Sequence, residues 1–190
     1  MPDATDRAAT DRAATDLAKR GAGVRLLALD VDGTMTDGTL YIGPGAEAMK
    51  GFSVRDGFGL ALLREAGVKI AIVTARESSI VATRAAELRF DAVTQSAGDK
   101  ARALRELAER FGLNLEQVAY MGDDWPDLPA LAIAGLAAAP ADASAAVARA
   151  AHWVARRPAG HGAVRELAEW LLECRGLLGQ ALERHRGSGA

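Results

Sequence analysis

The most restrictive feature of the sequence is a short apolar run that ends in two acidic residues. Leu26–Leu29 has the length and apolar character of a strand buried in a parallel sheet, and Asp30, Val31, Asp32 and Gly33 follow it directly. In open α/β sheets, ligands bind just beyond the carboxyl ends of the strands. Two close carboxylates repel each other unless a cation or a shared proton relieves them. The pattern favours a cation-binding crevice, although the motif alone is also typical of a strand that ends in a solvated turn.

From Val24 onward, apolar runs with strand character alternate with segments of helical periodicity. Strands are predicted at residues 24–29, 69–73, 92–94, 118–121, 136–138 and 153–154. Helices are predicted at residues 57–66, 78–88, 100–111, 127–134, 144–150 and 164–174. This alternation predicts the α/β class, with a three-layer, Rossmann-like, mostly parallel sheet and helices on both of its faces.

A small β-hairpin insertion is predicted after the first strand. Residues 39–42 and 48–54 flank Gly43-Pro44-Gly45, and tight turns prefer glycine and proline. Between Asp32 and Thr74 there is room only for this hairpin and one helix, so no cap domain is expected. A site without a cap is open to water. Its substrate is therefore expected to be either a macromolecule or a small molecule that another subunit encloses, and apolar side chains on the hairpin favour association between chains.

The two ends of the chain differ from its centre. Residues 1–23 repeat the pattern Ala-Thr-Asp-Arg-Ala, and a five-residue period builds no apolar face on a helix or a strand. This segment is predicted to be a disordered or frayed leader, with a hinge at Gly21-Ala22-Gly23. Residues 24–175 form the predicted domain, and residues 176–190 form a predicted flexible tail.

Composition narrows the choice of partners and compartment. The 190 residues carry a net charge of -2, and only 5% of them are aromatic, which speaks against nucleic acid as a partner. No apolar run is long enough to span a bilayer, and no secretory signal is recognised, so no membrane partner is expected. Cys174 is the single cysteine, which excludes a disulfide within one chain and fits a cytoplasmic location.

Polar residues recur where the predicted strands end. Thr74 follows the strand at 69–73, Asp123 and Asp124 follow the strand at 118–121, and Lys100 opens a helix. Each has an ordinary alternative: a β-branched strand residue, a helix cap, or a solvated lysine that is unfavourable near a helix N-terminus. Because the ends of parallel strands lie side by side, these groups are expected to converge with the first aspartates. Carboxylates suit Mg²⁺, and a lysine with a hydroxyl suits a phosphoryl group.

In their order and spacing, these residues resemble the four motifs of the haloacid dehalogenase superfamily, which consists mainly of phosphatases. The matching segments are Asp30-Val31-Asp32-Gly33-Thr34, Thr74, Lys100 and Gly122-Asp123-Asp124-x-x-Asp127. The resemblance implies that Asp30 attacks phosphorus and forms an aspartyl-phosphate. It implies that Asp32 protonates the leaving oxygen and then activates water, that Thr74 binds a phosphoryl oxygen, and that Lys100 stabilises transition-state charge.

The same resemblance implies a magnesium site. Asp30, the backbone carbonyl of Asp32, and Asp123 are expected to hold Mg²⁺, which offsets the charge of the carboxylates and the phosphate. Asp124 or Asp127 is expected to orient Lys100 or to complete the water shell of the metal.

Further segments are similar to the family of 3-deoxy-D-manno-octulosonate 8-phosphate phosphatases. They are Thr36-Asp37-Gly38, Val54-Arg55-Asp56-Gly57, Thr74-Ala75-Arg76, Arg84 and Gly162-Ala163-Val164-Arg165-Glu166. This resemblance implies a small sugar acid phosphate as substrate and a homotetramer whose hairpins form a shared barrel. The residues that it implies in substrate binding are Asp32, Arg55, Asp56, Gly57, Arg76, Arg84 and Lys100.

The alternatives concern the sugar and the class of protein. The family often has glycine where Ala75 stands and an arginine near the position of His161, and some relatives have an arginine in place of Ala61. A phosphatase of nine-carbon sialic-type 9-phosphates is therefore the second candidate. A catalytically retired scaffold of the same fold, and a nucleic-acid 3′-phosphatase, are two further candidates. The intact set of Asp30, Asp32, Thr74, Lys100 and Asp123 argues against the retired scaffold. The lack of a basic run argues against the nucleic-acid phosphatase.

Overall fold

The computed structural model describes residues 4–187 and forms a six-stranded sheet in which every pairing is parallel. The strands of the chain are β1 (Leu26–Leu29), β2 (Tyr41–Gly43), β3 (Ala46–Met49), β4 (Lys69–Val73), β5 (Ala92–Thr94), β6 (Val118–Met121), β7 (Leu136–Ala139) and β8 (Trp153–Val154). The sheet has the order β5-β4-β1-β6-β7-β8, so β1 lies at its centre. The α/β class that the sequence predicts is confirmed.

Helices cover both faces of this sheet. They are α1 (Ala4–Gly23), α2 (Val54–Glu65), α3 (Ser79–Glu87), α4 (Lys100–Arg110), α5 (Leu128–Ile133), α6 (Ala145–Ala150), α7 (Ala163–Cys174) and α8 (Leu178–Gly187). Short 3-10 turns lie at Leu115–Gln117 and Trp125–Asp127.

Strand β1 supplies both cores of the molecule because its side chains alternate between the two faces. Leu27 and Leu29 pack with side chains of α2, α3 and α7, whereas Leu26 and Ala28 pack with those of α4, α5 and α6. Each of these three leucines is fully buried, and such burial stabilises a fold by roughly 1.5–3 kcal/mol per side chain. The central strand is thereby fixed on both sides, and so is the direction in which its carboxyl end points.

The insertion between β1 and β4 contains only the antiparallel hairpin β2–β3 and helix α2. The strand predicted at 48–54 ends earlier, at Met49, and α2 begins at Val54 rather than at residue 57. The physical reason is a helix cap that the prediction overlooked: Ser53 is extended, and its side chain accepts a hydrogen bond from the backbone N–H of Asp56 at 3.2 Å. The absence of a cap domain agrees with the prediction across the described residues.

The N-terminal repeat forms a 20-residue helix, and the end of this helix packs on the domain. Arg20 donates a hydrogen bond to the carbonyl of Gly135 at 2.7 Å, and Leu17 packs against the core. A Cβ added at Gly21 would lie 2.8 Å from Cys174 Sγ, so this glycine allows close contact with α7. The structure thus has a packed helix end where a hinge was expected.

The predicted C-terminal tail contains α8, in which Ala181 is buried. The parts of the predicted leader and tail at 1–3 and 188–190 lie outside the described residues. The boundaries of the predicted domain at 24 and 175 stay a prediction. No helix within residues 4–187 is long and apolar enough to cross a membrane.

Candidate active site

The carboxyl ends of the three central strands meet at one edge of the sheet. Leu29 is paired with Ile72 of β4 on one side and with Met121 of β6 on the other. Asp30 follows Leu29, and its backbone N–H donates to the carbonyl of Met121 at 3.0 Å. Thr74, which is 3% exposed, directly follows β4, and Asp123 lies two residues beyond β6. The convergence predicted from the strand order is therefore present in the backbone.

Lys100 connects two of the acidic groups. It is the first residue of α4, it is 6% exposed, and its Nζ lies 3.0 Å from Asp30 Oδ1 and 2.6 Å from Asp127 Oδ1. Burial by itself would lower the pKa of Lys100, but the two carboxylates outweigh it and raise this pKa. The lysine stays charged at neutral pH, so it is available to stabilise negative charge beside Asp30.

Both carboxylate oxygens of Asp127 are occupied by hydrogen-bond donors. Oδ1 accepts from Lys100 Nζ and from the hydroxyl of Tyr120, both at 2.6 Å. Oδ2 accepts from the backbone N–H groups of Asp123 at 3.1 Å and of Asp124 at 3.2 Å. Asp127 is 1% exposed, and burial with the neighbouring acids raises the pKa of Tyr120 well above its usual range. Asp127 is thus a direct hydrogen-bond partner of Lys100, and the role expected for it in orienting this lysine stays a prediction.

The Asp123 carboxylate accepts a hydrogen bond from Thr34 and lies in space that the absent side chain of Gly33 leaves open. Thr34 donates a hydrogen bond from Oγ1 to Asp123 Oδ1 at 3.0 Å. Gly33 has a φ of +87°, and a Cβ added there would lie 2.2 Å from Asp123 Oδ2. Only glycine meets both conditions, because L side chains rarely adopt this backbone conformation and any Cβ would displace the carboxylate.

The acidic side chains form a group that fits a metal ion. Oxygen atoms of Asp30, Asp123 and Asp127 all lie within 4.8 Å of one another. Burial raises the pKa of Asp30 from 3.8 to about 6, with Lys100 opposing, and raises the pKa of Asp123 from 3.8 to about 7, with Thr34 opposing. Crowded, desolvated carboxylates are the arrangement that a divalent cation relieves, and oxygen donors suit Mg²⁺. Since both oxygens of Asp127 already accept hydrogen bonds, Asp30 and Asp123 are the acids best able to bind the ion.

Asp32 lies in a separate ion-pair network. Its Oδ1 pairs with Lys50 Nζ, and its Oδ2 lies 3.6 Å from Arg76 Nε. Lys50 also pairs with Glu47 at 2.7 Å, and Glu47 accepts a hydrogen bond from Ser78 Oγ at 2.5 Å. Lys50 and Glu47 are not among the residues predicted from the sequence. Two charged residues in an otherwise apolar hairpin were the signal that could have found them.

The remaining predicted residues lie around the start of α2. Asp56, which is 3% exposed, accepts hydrogen bonds from the backbone N–H groups of Gly162 at 3.3 Å and Arg165 at 2.8 Å. Burial raises the pKa of Asp56. Its carboxylate therefore links α2 to the start of α7, and the substrate contact expected for it stays a prediction.

Gly57 and Arg84 are in contact with each other. A Cβ added at Gly57 would lie 2.6 Å from Arg84 Nη2, so Gly57 leaves space for this guanidinium rather than offering a ligand itself. Arg84 pairs with Glu87 at 2.7 Å, and its guanidinium lies 5.8 Å from the centre of the Phe52 ring. Arg55 is exposed and lines an open cavity of about 480 Å³. That cavity is also lined by Asp37, Gly51, Phe52, Ser53, Val54, Gly160 and His161.

Asp124 is exposed and precedes the 3-10 turn at Trp125–Asp127. Its backbone N–H donates a hydrogen bond to Asp127 Oδ2 at 3.2 Å, as in a capping box. The structure therefore brings Asp30, Lys100, Asp123 and Asp127 into one cluster and places Asp32 with Arg76 beside hairpin residues. Arg55, Asp56 and Gly57 lie in the first turn of α2, and Arg84 lies against Gly57.

Comparison with known proteins defines the class first. Residues 53–135 match the family model described as haloacid dehalogenase-like hydrolase. Over 154 residues the chain is 42% identical to the 3-deoxy-D-manno-octulosonate 8-phosphate phosphatase KdsC of Yersinia pestis, with 81% of this chain and 82% of the relative covered. The chain belongs to the haloacid dehalogenase-like hydrolase family, as the sequence motifs indicated.

Solved structures narrow the comparison to particular proteins. The 3-deoxy-D-manno-octulosonate 8-phosphate phosphatase of Moraxella catarrhalis, solved with a magnesium ion, a phosphate ion and KDO, has a TM-score of 0.87 and 32% identity. The match covers 90% of this chain and 98% of that one. The cobalt-bound phosphatase YrbI of Haemophilus influenzae has a TM-score of 0.84 and 34% identity, over 86% and 99% of the two chains.

Proposed function

We propose that this protein is a magnesium-dependent phosphatase that hydrolyses 3-deoxy-D-manno-octulosonate 8-phosphate to the free sugar acid and phosphate. The observation that carries the proposal is the buried lysine between Asp30 and Asp127, next to the carboxylate of Asp123. A nucleophile, a cation and the ligands of a divalent ion are thus within reach of one phosphoryl group. The choice of substrate rests on the relatives, which are named 3-deoxy-D-manno-octulosonate 8-phosphate phosphatases.

Asp30 is the nucleophile of the first chemical step. Its carboxylate attacks phosphorus, a P–O bond to Asp30 forms, and the bond from phosphorus to the sugar oxygen breaks. A pKa of about 6 leaves most of this group ionised at pH 7, and therefore nucleophilic. Lys100, 3.0 Å away, stabilises the charge that develops on the phosphoryl oxygens, and Thr74 donates a hydrogen bond to one of them.

Asp32 acts first as a general acid and then as a general base. It donates a proton to the departing sugar oxygen, so that the leaving group is an alcohol rather than an alkoxide. It then takes a proton from a water molecule whose oxygen attacks phosphorus, and the bond between phosphorus and Asp30 breaks. The proton gained in this step is the one donated in the next turnover, so the cycle balances.

Magnesium is the proposed cofactor, held by Asp30, Asp123 and the backbone carbonyl of Asp32. When bound, Mg²⁺ supplies positive charge that offsets the repulsion between carboxylates and substrate phosphate. The support from this chain is the oxygen donor set within 4.8 Å.

Arginines are proposed to recognise the sugar acid because a planar guanidinium pairs well with a carboxylate. Arg76 is 48% exposed and lies next to Asp32. Within the described residues, the Nε of Arg84 is buried and has no hydrogen-bond partner, so a donor is left for an anionic ligand. Arg55 faces the cavity beside α2. A nine-carbon sialic-type 9-phosphate offers the same carboxylate and stays the alternative substrate.

The experiment that tests the function is a phosphate-release assay with three substrates: 3-deoxy-D-manno-octulosonate 8-phosphate, N-acylneuraminate 9-phosphate and p-nitrophenyl phosphate. We expect the highest kcat/KM for the eight-carbon acid with Mg²⁺ present and loss of turnover after chelation. A higher value for the nine-carbon acid would select the alternative substrate. No turnover on any of the three would favour a retired scaffold.

Two aspartate variants test the mechanism within this assay. Asp30→Asn removes the nucleophile and is expected to abolish turnover while the circular dichroism spectrum is retained. Asp16→Asn, at an exposed position of α1, is the matched control and should behave as wild type. Full activity of Asp30→Asn would refute the covalent mechanism.

A homotetramer in the cytoplasm is the proposed working form. The hairpin exposes the large apolar side chains of Leu40, Tyr41, Ile42 and Met49, the last two at 66% and 58%. A second copy that covers them would also narrow the open site. Light scattering on wild type and on Ile42→Asp tests this proposal: a tetramer that the substitution dissociates is expected, and a monomeric wild type at working concentration would overturn it. The single cysteine supports a reducing compartment.

A further inference from the structure

We propose that Lys50 is a positioning residue for the acid–base function of Asp32, so that the β2–β3 hairpin completes the active site of its own chain. The proposal rests on the function proposed above, and it adds a residue that neither the motifs nor the relatives' names assign. Lys50 follows β3 directly, which places it on the insertion rather than on the central sheet.

The position of Lys50 is unusual for a lysine in a hairpin. Its side chain is 1% exposed, although lysine is almost never fully buried unless it is paired. Its ammonium pairs with Asp32 Oδ1 and with Glu47, the latter at 2.7 Å. Two carboxylates around one buried ammonium compensate for its desolvation, and they leave it little freedom to move.

A chain of contacts anchors this ammonium to the central domain. Ser78 Oγ donates to Glu47 Oε2 at 2.5 Å, and the backbone N–H of Ser78 donates to Gln95 Oε1 at 2.6 Å. Ser78 is also the N-cap of α3, where its side chain accepts from the N–H of Val81. Glu47 therefore connects the hairpin to the first turn of a packed helix, and Lys50 is held between that anchor and Asp32.

The contact fixes one oxygen of Asp32 and leaves the other available. Oδ1 is held by Lys50, whereas Oδ2 lies 3.6 Å from Arg76 Nε, which is beyond hydrogen-bond distance. An acid–base group has to meet the leaving oxygen in a fixed geometry, because misplacement costs rate even when the group is present. Lys50 supplies this orientation, and no proton passes through it.

A positioning role predicts that the effect of Lys50 depends on the leaving group. Phenolate is a poor leaving group and needs a proton, whereas p-nitrophenolate leaves readily without one. We therefore expect Lys50→Met to lower kcat/KM for phenyl phosphate, which reports the steps up to departure of the phenol, by about 10- to 100-fold. This is less than the roughly 10²–10⁴-fold typical of a general acid or base, because Asp32 itself is retained. For p-nitrophenyl phosphate we expect a change in kcat/KM of less than about threefold, whereas a fall in kcat shared by both substrates would report the second step, in which Asp32 activates water.

Four further proteins make the test specific. Lys50→Arg keeps the charge and should restore most of the phenyl phosphate activity. Lys19→Met, an exposed lysine of α1, is the matched control and should equal wild type. Asp32→Asn and the double variant Asp32→Asn/Lys50→Met complete a cycle. If Lys50 acts through Asp32, the double variant should be no slower than Asp32→Asn alone.

The opposite results are equally clear. A wild-type kcat/KM for phenyl phosphate in Lys50→Met, an equal loss of kcat/KM on both aryl phosphates, or additive losses in the double variant would each overturn the proposal. If Lys50→Met does not fold, as judged by circular dichroism, Lys50→Gln and Glu47→Gln replace it with the same criteria. An inactive wild type would instead refute the phosphatase function itself, and activity on aryl phosphates but not on sugar acids would refute only the proposed substrate.

Discussion

Replacing Asp127 with asparagine would remove one negative charge from the buried cluster while its shape is kept. The wild-type carboxylate accepts four hydrogen bonds, two on each oxygen. Asparagine has only one acceptor oxygen, and its NH₂ group would face two donors. Either Lys100 and Tyr120, or the backbone N–H groups of Asp123 and Asp124, would then lose their acceptor.

The size of the effect follows from these lost contacts. A buried donor that is left unsatisfied costs about 1–3 kcal/mol, so two of them cost about 2–6 kcal/mol. Two charge effects oppose each other: Lys100 loses a partner at 2.6 Å, whereas Asp30 and Asp123 lose a repulsive neighbour. We therefore expect Asp127→Asn to lower the free energy of unfolding by about 2–5 kcal/mol, which corresponds to a fall in Tm of about 4–20 °C for a chain of this size.

Urea unfolding of metal-free protein at pH 7, followed by circular dichroism, measures this difference. Asp124→Asn is the matched control because its side chain is exposed and its backbone N–H is retained, so its stability should stay within about 0.5 kcal/mol of wild type. An Asp127→Asn protein as stable as this control would refute the reasoning. It would mean that relief of acidic repulsion balances the lost hydrogen bonds.

Three further predictions concern the metal site and the N-terminal helix. Gly33→Ala should displace the Asp123 carboxylate, 2.2 Å from the new Cβ, and weaken Mg²⁺ binding by at least about tenfold in calorimetric titrations, with the fold retained. Folding raises the pKa of Asp30 from 3.8 to about 6 and the pKa of Asp123 from 3.8 to about 7. From about pH 4 to about pH 7, the folded metal-free protein therefore binds more protons than the unfolded chain. Stability in chelator should therefore fall as pH rises from about 4 to about 7, and excess Mg²⁺, which competes with those protons, should reduce or reverse the trend in urea titrations. Gly21→Ala should destabilise the protein by about 1–3 kcal/mol in the same titrations, since its Cβ would lie 2.8 Å from Cys174 Sγ; unchanged stability would mean that α1 does not pack there.

The order of the central elements could be predicted because each carries a local signal. Apolar runs such as Leu26–Leu29 are too short for helices and are bounded by turn residues. Their alternation with helical segments leaves few arrangements other than a parallel sheet. The start of α2 was missed because Ser53, a strong cap, lies within an apolar segment that also fits a strand. The packed end of α1 was missed because its contact residues are Leu17, Arg20 and Gly21, which form no periodic apolar stripe.

The site, too, contains residues that could be predicted from the sequence and residues that could not. Asp30, Lys100 and Asp123 could be selected because each follows a strand or opens a helix at the same edge of the sheet. The hydrogen bonds that Asp127 accepts could not be predicted. One of them comes from the hydroxyl of Tyr120, whose side chain is fully buried. Lys50 could not be assigned to Asp32 either, because nothing local sets the angle at which the hairpin folds back.

The sequence by itself determined the chemistry available to this protein: which residue types occur, and which strand ends carry them. That information is local, since strand periodicity and turn residues act over a few neighbours. Only the tertiary structure decided which side chains share a hydrogen bond, which carboxylates are already occupied, and which glycines have to lack a Cβ. Those outcomes depend on distances between segments far apart in the chain, such as the contact between Gly33 and Asp123, and such distances are set by packing of the whole domain.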